Sequence, residues 1–176
     1  MNKVKIHYKD PLGYYSLSNF LKDKIDNNTI IICIGTDRCI GDCLGPLIGS
    51  MLKERFFPLP VYGTVSEPIH ALNLDSKLYD IKLKHPNSKI IGIDACLGPY
   101  DKIGEIQVRS YPINPGKGVG KALPPVGDIS IIGIVDSSDI DEPFANRNIR
   151  LSLILDISQV ITNGLIHGYY LNTLPE

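Results

Sequence analysis

The chain alternates short apolar runs with stretches in which apolar residues recur at helical spacing. Residues 29–34 (TIIICI), 89–94 (KIIGID) and 129–135 (ISIIGIV) are short, rich in β-branched side chains and almost free of polar positions. Such runs predict strands covered on both faces, as in a parallel sheet. Residues 59–65 predict a further strand, and 89–94 is read as a strand ending in an acidic residue. Over 104–111, Ile106, Val108 and Tyr111 fit a half-buried strand. Residues 14–25 predict a helix whose face carries Tyr15, Leu17, Phe20, Leu21 and Ile25. Residues 43–57 predict a second helix, with Leu44, Leu47, Ile48, Met51 and Leu52 on one side and Pro46 tolerated in the first turn. Ser66-Glu67-Pro68 is a helix-start signal with Ser66 as N-cap, and that helix is expected to run to Lys84. A long, mostly apolar helix is expected over 145–171.

Strands alternating with helices predict an α/β fold, a three-layer α/β/α sandwich around a mixed, mostly parallel sheet. With no repeat and no linker in its 176 residues, the chain is expected to form one domain, 1–176. Sites in such folds lie beyond the carboxyl ends of the strands. The loop after Ile34, Asp94 and the segment after Val135 would share that edge.

Composition narrows the function classes. The net charge of −1 offers no electrostatic reason to bind nucleic acid or an anionic membrane. Residues 1–10 are polar, unlike a signal peptide, and no apolar run approaches the ~18 residues of a membrane span. Cytoplasmic residence is therefore expected. The four cysteines, Cys33, Cys39, Cys43 and Cys96, contain no C-x-x-C pair, so neither a zinc ribbon nor, without export, a disulfide is expected.

Two acids stand out. Asp42 closes the glycine-containing loop 35–41 and enters a predicted helix, where an acid ordinarily caps free N–H groups. Asp94 ends a predicted strand, where an acid ordinarily caps the next turn. Placed together on one sheet edge, two carboxylates can share a proton, one serving as base and the other as acid. The same pair can bind a divalent metal. The segment Asn114-Pro115-Gly116-Lys117-Gly118-Val119-Gly120-Lys121 is not a phosphate-binding P-loop, because Ala122 follows Lys121 where Ser or Thr is required. It reads equally as a plain glycine-rich loop or as a flap that closes over substrate. Cys33 and Cys96 read as core; Cys39 and Cys43 lie near Asp42 and are candidate nucleophiles or soft ligands. Of the histidines, only His70 is expected near the strand edge. Ser137-Ser138-Asp139 is read as either site lining or a loop.

Gly35-Thr36…Gly41-Asp42-Cys43-Leu44-Gly45-Pro46 resembles the first acidic loop of the germination protease of spore-formers. Ile93-Asp94-Ala95 resembles that family's second acidic motif, and Pro115 to Gly120 its Pro-Gly-x-Gly-Val-Gly loop, in matching order over roughly 29–136. Over nearly its whole length the chain resembles the small, sporulation-associated YyaC family of proposed spore proteases. The resemblance implies the α/β/α fold of the hydrogenase-maturation endopeptidases and peptide-bond hydrolysis of a protein or peptide substrate. It makes Asp42 and Asp94 the catalytic pair and Gly35, Thr36, Gly116, Lys117, Gly118 and Gly120 substrate-binding. In the hydrogenase-maturation enzymes the equivalent acids and a histidine hold nickel; no histidine occurs within 95–135 here, and no cofactor is expected. The alternatives are a non-catalytic protein of the same fold that binds a protein partner, and a metal- or cysteine-dependent hydrolase. The long final helix also allows self-association.

Overall fold

The computed structural model describes residues 2–115, 123–139, 142 and 146–173. Its elements are β1 (Lys3–His7), α1 (Gly13–Leu21), β2 (Thr29–Cys33), α2 (Leu44–Glu54), β3 (Val61–Tyr62), α3 (Leu74–Lys84), β4 (Lys89–Gly98), β5 (Glu105–Arg109), β6 (Ile129–Ser137) and α4 (Leu151–Thr173). Six strands form one sheet in the order β1-β5-β6-β4-β2-β3. The pairs β2–β3, β2–β4 and β4–β6 are parallel, while β5 runs antiparallel to both β6 and β1. The expected mixed, mostly parallel α/β sandwich is the observed architecture.

Side-chain alternation along the strands divides the core between two faces. Ile31, Cys33, Ile91, Ile93, Ile131 and Val135 lie on one face, with Ile106 and Val108 of β5, under α1, α2 and α4. Ile30, Ile32, Ile34 and Ile132 lie on the other, under Leu74, Leu78 and Ile81 of α3 together with Ile113 and Val126. All of β2 is buried, as its unbroken apolar run requires of a central parallel strand. Next to the edge strand β1, β5 alternates between buried and half-buried positions.

Several boundaries differ from the sequence expectation, each because a non-local partner competes with a local preference. α3 starts at Leu74 rather than Ser66, because Ile69 forms a parallel bridge with Ile34 and holds that stretch extended. Ser66 Oγ instead meets Thr64 Oγ1 at 3.1 Å. β3 retains only two residues of the expected 59–65 strand. α1 stops at Leu21, and Ile25 reaches the core from the following turn. β4 runs past Asp94 to Gly98, because β6 also continues and pairs with it to Ser137. Asp94 therefore lies within a strand and does not end one. The polar N-terminal segment contains β1, which burying Ile6 and pairing with β5 make into an edge strand. α4 begins at Leu151, not at 145. Among the described residues no helix is long and apolar enough to cross a membrane.

Candidate functional site

The site forms where β2 ends and its neighbour β4 continues. The Ile34 N–H donates to the Ile93 carbonyl at 2.8 Å, which sets Asp94 beside the residue that leaves β2. Strand alternation puts the Asp94 side chain on the face of Ile90, Gly92 and Cys96, beside Ile34 just past β2 and in register with Ile132 of β6. Asp94 Oδ1 accepts the N–H of Ala95 at 2.8 Å.

Asp42 arrives from the loop between β2 and α2. Gly35 begins that loop at φ +135°, a conformation L side chains rarely adopt, and a Cβ there would lie 2.0 Å from the Asp42 carbonyl oxygen. The Thr36 N–H closes the loop by donating to the same carbonyl at 3.0 Å. Thr36 Oγ1 accepts the Arg38 N–H at 3.3 Å. A short 3₁₀ turn over Ile40–Cys43 carries Asp42 and packs against β4 and α4. α2 then starts hard against β2: a Cβ on Gly45 would lie 2.1 Å from the Ile34 carbonyl oxygen. The glycines at 35 and 45 thus let one backbone approach another closely enough to bring Asp42 to Asp94.

The electrostatics follow from that approach. Burial pushes the Asp42 carboxyl up to about 6, against the opposing pull of the Thr36 N–H. Asp94 is raised well above the ordinary carboxylate range, first by burial and then by the charge of Asp42; the Ala95 N–H and Arg109 oppose the rise. The two acids are therefore electrostatically coupled and titrate as a pair.

Arg109 is a contributor the sequence reading missed. Its Nε donates to Ser130 Oγ at 3.0 Å, and its guanidinium lies 4.8 Å from the Tyr111 ring centre. The period of two in β5 already put Arg109 opposite Ile106 and Val108; only the strand order put it within reach of Asp94.

The other expected residues divide. Gly35 and Thr36 join Asp42 in the loop. Gly116, Lys117, Gly118 and Gly120 lie outside the described residues. The flanks of their loop are held by reciprocal 2.9 Å bonds between Ile113 and Val126. Those flanks press on the sheet at Gly92, where a Cβ would come within 3.0 Å of the Val126 carbonyl oxygen. Ile113 and Val126 therefore lie on the face on which Asp94 projects. His70 follows Ile69, whose carbonyl accepts the Gly35 N–H at 2.8 Å, so it does stand at this edge. It precedes α3 instead of starting a helix, and its Nδ1 accepts the Leu72 N–H at 3.3 Å. Ser137 is buried at the end of β6, where its Oγ accepts the Asp139 N–H at 3.0 Å. His85 and His167 are packed elsewhere, against Tyr62 and against Tyr14 and Tyr15.

Among the described residues no group of three or more His, Cys, Asp or Glu side chains is arranged to hold a metal ion. Cys33 is core, as expected, whereas Cys96 is half-buried and shares the Asp94 face. Burial and Asp94 push the Cys96 thiol up to about 11, and burial with Asp37 and Asp42 raises Cys43. A cavity of about 440 Å³ opens at the carboxyl ends of β1 and β6, beside Asp136; neither Asp42 nor Asp94 lines it.

Residues 5–164 match the family described as "Protein of unknown function (DUF1256)". The chain is 43% identical over 150 residues to the "Uncharacterized protein YyaC" of Bacillus subtilis (strain 168), a match that spans 85% of this chain and 73% of the relative. The matched range runs from β1 into α4 and takes in both acids and every strand from β2 to β6, so the chain belongs to the DUF1256 family, with YyaC among its relatives.

Proposed function

We propose that the chain is an endopeptidase in which Asp42 and Asp94 hydrolyse peptide bonds of a protein substrate, with a role in sporulation. The observation that carries this reading is the coupling of the two carboxyls, both raised by burial at the carboxyl edge of a mostly parallel sheet. With Asp42 pushed up to about 6, and Asp94 raised well above the ordinary carboxylate range by burial and by the charge of Asp42, we read the pair as sharing one proton near neutral pH. The ionised Asp42 takes a proton from water as the water oxygen attacks the scissile carbonyl carbon. The protonated Asp94 donates its proton as the C–N bond breaks and the amine leaves. The raised Cys43 and Cys96 thiols favour the carboxylates over a thiolate nucleophile.

The test is incubation of the purified protein with a panel of small acid-soluble spore proteins across pH. Wild type, Asp42→Asn and Asp94→Asn are compared, with folding checked by circular dichroism. Cleavage by wild type and loss in both variants is expected. Full activity in either variant, or folded wild type that binds the panel without cutting it, would replace the peptidase reading with that of a binding protein.

A further inference from the structure

The register of β1 on β5 sets Lys3 directly opposite Arg109. The Ser110 N–H donates to the Asn2 carbonyl at 2.9 Å, so Lys3 and Arg109, one step further along, form a non-hydrogen-bonded pair. Opposed side chains stand closest in such pairs, and like charges there are destabilising. Both side chains leave the sheet on the face of Asp94 and Cys96, because Val4, Ile106 and Val108 pack on the other face. Both residues are half-buried. The fold thus holds two cations together at a partly desolvated position beside the candidate site.

No acid answers them. Among the described residues neither Lys3 nor Arg109 takes part in an ion pair. Glu105, the acid of β5 on this face, is taken by Lys5 at 3.4 Å and by the Gln107 amide at 2.7 Å. Asp94 is held toward its neutral form. Residues 110–127, which lead from β5 back toward β6, contain no acidic side chain. Arg109 itself is fixed: Ser130 takes its Nε and the Tyr111 ring flanks the guanidinium, while Nη1 and Nη2 make no hydrogen bond among the described residues. The charges of Lys3 and Arg109 both reach Cys96, and that of Arg109 reaches Asp94, so the two act on one patch of the sheet.

We propose that Lys3 and Arg109 form a binding site for a doubly charged oxyanion of the phosphate class, on the sheet face beside Asp94. Two positive charges with no counter-charge suit a dianion better than a single carboxylate. The fork of Arg109, oriented by Ser130, donates to two oxygens, and the Lys3 ammonium supplies a point charge to a third. Binding also relieves the repulsion between the two cations, so the bound state is the more stable one. The anion offsets the pull of both cations on Cys96, which makes that thiol a reporter of occupancy. The site stands on the β1–β5 pairing and does not rest on the peptidase reading.

Thermal midpoints of the full chain in sodium phosphate, sodium acetate and sodium chloride test this, at equal ionic strength and at a pH where phosphate is a dianion. Phosphate is expected to raise the midpoint saturably, by roughly 3–5 °C at ten times its dissociation constant. Acetate is expected to match chloride. Arg109→Met is expected to weaken phosphate at least roughly tenfold. Lys3→Glu places a carboxylate opposite Arg109. It is expected to raise the midpoint in chloride by ~1–3 °C and to abolish the phosphate response. A gain in stability joined to a loss of binding separates a filled site from a damaged fold. Labelling of Cys96 at alkaline pH is expected to slow in phosphate. Phosphate acting no more strongly than chloride would overturn the proposal, as would acetate acting as strongly as phosphate. So would a phosphate response retained in Arg109→Met or Lys3→Glu, or Cys96 labelling indifferent to phosphate. Binding is read without cleavage, so Asp42→Asn is expected to bind phosphate like wild type whether or not it cleaves peptides.

Discussion

Gly35 and Asp42 touch through their main chains: a Cβ at residue 35 would sit 2.0 Å from the Asp42 carbonyl oxygen. Gly35→Ala therefore forces the 35–42 loop open in addition to straining φ at +135°. Urea unfolding is expected to show a loss of roughly 2–4 kcal/mol. If the peptidase reading holds, cleavage falls further than stability at temperatures where the variant remains folded, because the displaced carbonyl carries Asp42 away from Asp94. Wild-type stability in Gly35→Ala would disprove the contact.

The raised carboxyls set the direction of the pH dependence of stability. An aspartate in the unfolded chain titrates near ~3.9. Asp42 titrates at about 6 in the fold, so between these values the folded state binds more protons than the unfolded one. Its contribution is fully present below the unfolded value and is lost as pH rises through about 6. Asp94 shifts the same way and extends the decline to higher pH. Asp42→Asn removes the burial penalty on the charge and is expected to stabilise the protein at pH 7–8 by roughly 2 kcal/mol, with little effect at pH 4. Thermal midpoints of wild type and variant measured across pH 4–8 check this. Parallel curves would show that Asp42 is not held in a desolvated position.

For the proposed hydrolysis the same pair predicts a bell-shaped rate profile. The acidic limb reports loss of the base near about 6, and the alkaline limb reports loss of the proton on Asp94. Arg109 lowers Asp94, so Arg109→Met is expected to move the alkaline limb to higher pH and leave the acidic limb nearly in place. An unmoved alkaline limb would remove Asp94 from the acid role.

Arg147 ties the segment after β6 to the end of that strand. Its side chain is 3% exposed, its Nη1 lies 3.1 Å from Asp136 Oδ2, and the same nitrogen donates to the Ser137 carbonyl at 2.6 Å. Truncation to methionine leaves a partly buried carboxylate without its cation, a change worth about 3–5 kcal/mol in comparable buried pairs. Chemical denaturation of Arg147→Met is expected to show a loss in that range. Arg147→Met with Asp136→Leu is expected to recover part of it. A loss below ~1 kcal/mol would class the pair with exposed ion pairs.

Thiol reactivity provides an independent check on the site's electrostatics. With Cys96 at about 11 and Cys43 also raised, neither is expected to react quickly with iodoacetamide near pH 7. At alkaline pH, once Asp94 has lost its proton, Asp94→Asn removes a charge that raises Cys96, so labelling of Cys96 there is expected to accelerate in that variant, as peptide mass mapping would show. Equal rates would place Asp94 away from Cys96.

The central strands were legible because an apolar β-branched run has few alternatives to a strand covered on both faces. Residues 29–34 and 129–135 read correctly on that ground. The start of α3 was not legible. Ser66-Glu67-Pro68 is a sound local signal, but pairing of Ile69 with Ile34 holds the chain extended beyond it. β1 was missed because an edge strand buries little more than Ile6 and leaves Lys5 and His7 exposed. At the site, Asp42 and Asp94 could be singled out by position, and Gly35 and Gly45 by their spacing. Arg109 could not, since its strand neighbours depend on sheet order.

What the sequence by itself determined is local: the type of each strongly periodic element, the tight loop before α2, and the two acids as candidates. Steric allowance and side-chain period act over a few residues, so they can be read from a few residues. What only the tertiary structure decided is collective. It made Asp94 a mid-strand residue, set it beside Asp42, raised both carboxyls, and left Phe56 outside its own core. Register, desolvation and exposure depend on groups distant in the chain, and these are supplied only when the chain closes on itself.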